Sequence, residues 1–133
     1  MSTWASRIDA ITLFVDDLEA AKRYYGEVFE LPVAFEDEDS AVFDFGNAIV
    51  NLLQTSAAAE LVEPAPVGAP EAGVRLVLTV GVEDVDATCA RLAERGVGLL
   101  NGPVDRPWGV RTASFRDPGG HVWEIAHRLD RTG

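Results

Sequence analysis

The chain has 133 residues, and its 22 acidic against 11 basic side chains give a formal net charge of −11, a balance that opposes attraction to nucleic-acid phosphates or anionic membranes. A hydrophobic fraction of 47% with 25% charged residues describes one ordinary globular domain, with no apolar run approaching the length of a membrane span. The start MSTWASRIDA lacks a basic segment followed by an apolar stretch, so a cytoplasmic product is expected, and the single cysteine, Cys89, excludes an internal disulfide or a multi-cysteine metal knuckle.

In chain order, IDAITLFV puts Ile11, Leu13 and Val15 on one face at period two and predicts a strand. Asp17 then opens a helix as N-cap. Its apolar stripe is Leu18, Ala21, Tyr25 and Val28, and Pro32 forbids continuation. Three strands are predicted at about 33–38, 41–46 and 48–54, separated by the acidic turn Glu36 to Asp39 and by Gly46-Asn47. The segment TSAAAELVEPAPVGAPEAG, 55–73, has no sustained period and is expected to be a linker. RLVLTVGV predicts the next strand, Asp84 the next N-cap, and Val85, Cys89 and Leu92 the stripe of a helix ending at Gly96. Strands at about 97–103, 110–116 and 121–127 follow.

The same order of elements thus occurs twice, in half-repeats 8–54 and 74–127. At an offset of 67, Leu13 pairs with Val80, Val15 with Val82, Asp17 with Asp84 and Ala20 with Ala87. Beyond the helices the offset is 73, which sets Asp44-Phe45-Gly46 against Asp117-Pro118-Gly119 and Asn51 against Glu124. A half of about fifty residues cannot cover both faces of its own sheet, so the expectation is one domain, residues 1–133, with the halves sharing a core.

VDDLEAAKRYYGEVFELP after the first strand, the proline-rich middle, VEDVDATCARLAERG and the terminal DPGGHVWEI hairpin together resemble the vicinal-oxygen-chelate superfamily, which includes the glyoxalases, bleomycin-resistance proteins and dioxygenases. The resemblance implies an α+β fold of two βαβββ half-repeats forming a curved mixed sheet groove with helices outside, and a homodimer. It does not imply one activity, because this fold hosts lyases, isomerases, ring-cleaving dioxygenases and proteins that only bind drugs.

In metal-dependent relatives four inward side chains hold a divalent ion. Carried over, these positions are Ala10, Val77, Asn51 and Glu124. Two are alkyl and only Glu124 is a usual ligand, so no metal and no cofactor are expected. His121 and His127 alternate to the face opposite Glu124 and are expected at a surface or interface. Glu124 would sit in an apolar groove, where a buried charge needs a partner. That partner is either Arg111, in a structural salt bridge, or a ligand. Thr12, Phe14, Asn51 and Thr79 are the expected neighbours on the groove face, and Trp108, in the loop Arg106-Pro107-Trp108-Gly109, is placed to stack on a flat ligand. A similar Pro-Trp-Gly segment occurs in bleomycin-resistance relatives. Trp123 is expected to pack under a helix, Phe43 and Phe45 are better read as core, and Cys89 reads as a small core hydrophobe.

The preferred reading is a metal-independent binding protein for a planar or cationic, antibiotic-like small molecule, with no nucleic-acid or membrane partner. The rival is an enzyme of the same superfamily, a glyoxalase-like lyase, isomerase or dioxygenase acting on a small oxygenated metabolite, in which Glu124 would be the catalytic group.

Overall fold

Asp17 and Asp84 have extended backbones, and their carboxylates accept from Ala20 N and Ala87 N, each at 3.1 Å. Each therefore starts a helix where the sequence places one. In a computed structural model that describes residues 4–129, these helices belong to two compact units, Met1–Gly68 and Ala69–Gly133. Each unit is a four-stranded mixed sheet with an α-helix packed on one face.

The first unit runs β1 (Ala10–Val15), α1 (Leu18–Val28), β2 (Phe35–Glu36), β3 (Ser40–Asp44), β4 (Ile49–Gln54) and α2 (Thr55–Val62). The strand order is β1-β4-β3-β2, with β1 parallel to β4 and the other pairs antiparallel. Leu13, Val15, Val50, Leu52, Ala41 and Phe43 lie on the helix side and are buried. Tyr25 of α1 is fully buried, with its ring 5.2 Å from Phe29 and 5.7 Å from Phe43. This settles Phe43 as core, and Phe45 packs edge-on against Phe29 at 5.4 Å. The expected linker is partly helical: α2 occupies its first eight residues and buries only Ala58.

The second unit runs β5 (Val77–Gly81), α3 (Val85–Glu94), β6 (Leu99–Asp105), β7 (Val110–Arg116) and β8 (Val122–Arg128), after a short 3-10 turn at Pro70–Ala72. Its strand order, β5-β8-β7-β6 with β5 parallel to β8, repeats that of the first unit. Val85 and Leu92 of α3 pack over Ala113, Phe115, Trp123 and Ile125, all buried. Cys89 lies half-buried in α3, and burial first, then the Asp86 carboxylate, raise its thiol pKa above the usual range against the opposing effect of Arg111.

The internal repeat extends to the hydrogen bonds that close each unit. At the offset of 73, Asp44 accepts from Gly46 N and Asp117 from Gly119 N, at 2.8 and 2.9 Å. Gln54, on the last strand of the first unit, accepts from Leu18 N at 3.0 Å, and its counterpart His127 accepts at Nδ1 from Val85 N at 2.8 Å. Both side chains satisfy the first free amide of the helix that follows the unit's first strand. His127 is therefore a helix cap with its proton on Nε2, rather than a surface histidine. His127→Gln should leave the melting temperature within about 2 °C of the parent, because Gln54 does this task in the other unit. His127→Ala should cost about 1 kcal/mol. Equal losses in thermal unfolding would overturn the capping role.

Candidate functional site

Alternation sorts the second unit's side chains onto two faces. Arg111, Ala113 and Phe115 of β7, with Trp123, Ile125 and His127 of β8, point toward α3, as the contact of Arg111 with Asp86 and that of His127 with Val85 N show. Thr112 and Ser114 of β7, Glu124 and Ala126 of β8, and Thr79 of β5 point to the face that α3 does not cover.

On this face Thr112 and Ser114 are buried, whereas Thr79 is exposed, and Glu124, half-buried, stands beside Thr79, its register partner across the parallel β5–β8 ladder. The Thr79 hydroxyl donates to Glu124 Oε1 at 2.9 Å. Among the described residues no basic side chain pairs with this carboxylate. The expected salt bridge with Arg111 does not form. Arg111 lies on the other face of the sheet and donates to both oxygens of Asp86, at 3.1 and 3.0 Å, and to Asp105 at 2.9 Å. Its hydrogen bonds to Asp86 and then to Asp105 raise its pKa well above the ordinary guanidinium range. It ties α3 to the β6–β7 hairpin and takes no part in the open face.

The basic group that does lie on the open face is Arg106, which the sequence reading passed over in favour of its neighbour Trp108. Arg106 Nε donates to Thr112 Oγ1 at 3.0 Å and Nη2 to Asn101 Oδ1 at 3.3 Å. The guanidinium carbon lies 6.0 Å from the centroid of the Trp108 ring, within cation–π range. The loop is closed by Arg106 N on Val110 O at 2.7 Å and Gly109 N on Arg106 O at 3.0 Å, with Gly109 at φ 92°. Trp108 at its tip is 67% exposed, which leaves a ring face free for contact. Asn101 reaches Arg106 because β6 is irregular between Asn101 and Val104, a bulge that re-aims the side chains on either side.

The first unit has a corresponding face away from its buried Leu13, Leu52 and Phe43. Thr12 and Asn51 are register partners in its β1–β4 ladder, as Thr79 and Glu124 are in the other. Ala10 and Phe14 of β1 and Val42 of β3 share that face. Asn51 Oδ1 is buried and has no hydrogen-bond partner among the described residues, an arrangement that costs free energy.

The positions that the resemblance assigns to metal ligands carry a methyl group at Ala10, an isopropyl group at Val77, a neutral amide at Asn51 and one carboxylate at Glu124. Among the described residues no three His, Cys, Asp or Glu side chains come together. This donor set does not fit a divalent cation. His121, just before β8, is held at Nδ1 by both oxygens of Asp117, each at 3.1 Å, and does not join Glu124. Among the described residues no helix is long and apolar enough to cross a membrane.

Comparison with known proteins agrees with this architecture. An uncharacterized protein of Bacillus subtilis (strain 168), YraH, is 36% identical over 123 residues, covering 90% of this chain and 96% of that protein. The crystal structure of a glyoxalase-related enzyme from Fulvimarina pelagi superposes with a TM-score of 0.79 at 27% identity, covering 92% of this chain and 88% of that one. TnmS3, an antibiotic binding protein from Streptomyces sp. CB03234, superposes with a TM-score of 0.72 at 28% identity, covering 96% of this chain and 99% of that one. Residues 7–125 match the profile of the Glyoxalase/Bleomycin resistance protein/Dioxygenase superfamily, and the chain belongs to that superfamily.

Proposed function

We propose that this protein binds a small planar or cationic organic molecule without a metal, acting as a cytoplasmic homodimer. The observation that carries this reading is the half-buried Glu124 carboxylate, which stands on the sheet face away from α3 with a threonine hydroxyl beside it and, among the described residues, no cation. A carboxylate so placed offers a charge-assisted hydrogen bond to an ammonium or amidinium group, and the exposed Trp108 ring offers a stacking surface. Thr79 orients the carboxylate. In the first unit, taken by itself, Thr12, Phe14 and Asn51 share one sheet face, and the Asn51 oxygen gains a partner if a ligand donor or a water reaches it. The likeness to an antibiotic binding protein supports this reading.

The test uses proflavine, a planar cation, titrated by fluorescence into the parent and into Glu124→Gln. We expect about tenfold weaker binding in the variant, equivalent to about 1.4 kcal/mol, with the same sedimentation as a dimer. Equal affinity in the two proteins would remove Glu124 from the site. A monomer in both would remove the assembly. The second reading, Glu124 as a metal-free general base, draws on the likeness to a glyoxalase-related enzyme and keeps the same residue at the centre.

A further inference from the structure

An arginine in a chain of net charge −11 has many carboxylates to choose from, and Arg111 takes two of them. Arg106 takes none. Its bonds go to the neutral oxygens of Thr112 and Asn101, which occupy two of the five N–H donors of a guanidinium and fix the plane of the group. The remaining donors, on Nη1 and Nη2, have no partner among the described residues. They stand beside the exposed ring of Trp108. The group is partly buried, so the charge is neither fully hydrated nor neutralised by the protein.

The distance to Glu124 follows from the register. Thr112 faces Ala126 and Ser114 faces Glu124 across the β7–β8 ladder. Thr112, which anchors Arg106, is thus the diagonal neighbour of Glu124 on the same face, with a Cβ separation of about 7 Å. Anion and cation stand on one face without meeting each other, each held by a threonine hydroxyl. Thr79 draws the carboxylate toward β5, on the far side of β8 from Thr112, so the two poles lie farther apart than these Cβ atoms.

We infer that the ligand is zwitterionic: an aromatic molecule whose ammonium group binds Glu124 and whose carboxylate binds Arg106, with its ring against Trp108. This rests on the proposed binding role of Glu124 and adds the second pole. A bidentate carboxylate suits the planar guanidinium fork, which a lysine does not reproduce. Arg106 then sets specificity, because a singly charged cation leaves it unpaired and an anion alone leaves Glu124 unpaired.

Three probes separate the poles: para-(aminomethyl)benzoate, its methyl ester, which keeps only the cation, and para-toluate, which keeps only the anion. Affinities are read from the indole N–H resonance of Trp108, assigned with Trp108→Phe, in the parent, Arg106→Gln and Arg106→Lys. The zwitterion is expected to bind the parent at least tenfold more tightly than either singly charged probe. Arg106→Gln should bring the zwitterion down to the affinity of the ester while the ester itself is unchanged, which also shows that the variant is folded. Arg106→Lys should fall between. Ester and zwitterion of equal affinity in the parent, or a preference that survives Arg106→Gln, overturns the zwitterion while leaving the Glu124 site standing. Failure of all three probes to bind overturns both.

Discussion

Gly102→Ala is expected to lower the stability of the protein by about 3 kcal/mol, with a fall in melting temperature on the order of 10 °C. The backbone of Gly102 has φ 90°, a region that side chains rarely enter. A Cβ added there would lie 2.5 Å from the carbonyl oxygen of Thr112 and 2.7 Å from Cα of Ala113. Both obstacles are main-chain atoms of a central strand, so neither can swing aside. The same glycine lies in the irregular stretch that aims Asn101 at Arg106. The variant should therefore also lose the orientation of Arg106, seen as a weakened preference for an aromatic zwitterion in whatever fraction remains folded. Gly96→Ala is the control: its φ is 78° but no atom lies within 4 Å of the added Cβ, so it carries the conformational cost of about 1 kcal/mol alone. A Gly102→Ala protein that melts with the Gly96→Ala protein would show that β6 can shift away from β7.

The elements that the sequence made legible are those fixed by neighbours in the chain. Asp17 and Asp84 announce their helices because a cap acts three residues ahead. The strands announce themselves by alternation, and the repeat makes Asn51 the counterpart of Glu124 because the half-repeats fold alike. Helix α2 was hidden because TSAAAELV buries a single alanine and so leaves no apolar stripe. Arg111 was misplaced for another reason. The parity that turns His127 away from Glu124 also turns Arg111 away, since the two are register partners, but that pairing depends on the turn between β7 and β8. Arg106 was hidden by the interruption of alternation at the bulge and again at the loop. What the sequence withheld of the site is thus the part that cross-strand register decides.

That register depends on Asp117, and its removal is the second large effect expected. The Asp117 side chain is 0% exposed. One oxygen accepts from Gly119 N and from His121 N, both at 2.9 Å, and the carboxylate as a whole holds the His121 ring. These bonds shape the turn that joins β7 to β8, whose pairing starts at Arg116 opposite Val122 and sets Ser114 against Glu124. Asp117→Ala leaves two turn amides and a histidine ring without their acceptor, and we expect a loss of about 3 kcal/mol in denaturant unfolding. Asp117→Asn separates geometry from charge. The amide oxygen still serves both backbone donors, and the ring can turn its other tautomer to the new NH2 group, so about 1 kcal/mol is expected. Equal losses for the two variants would assign the stabilisation to the carboxylate charge. A loss below about 1 kcal/mol for Asp117→Ala would mean that the strand pairing sustains the turn rather than the reverse. In the expected case Glu124 keeps its place opposite Ser114 because the buried Asp117 carboxylate fixes where β8 begins, at Val122, and the amide protons of β8 nearest the turn should exchange fastest in Asp117→Ala.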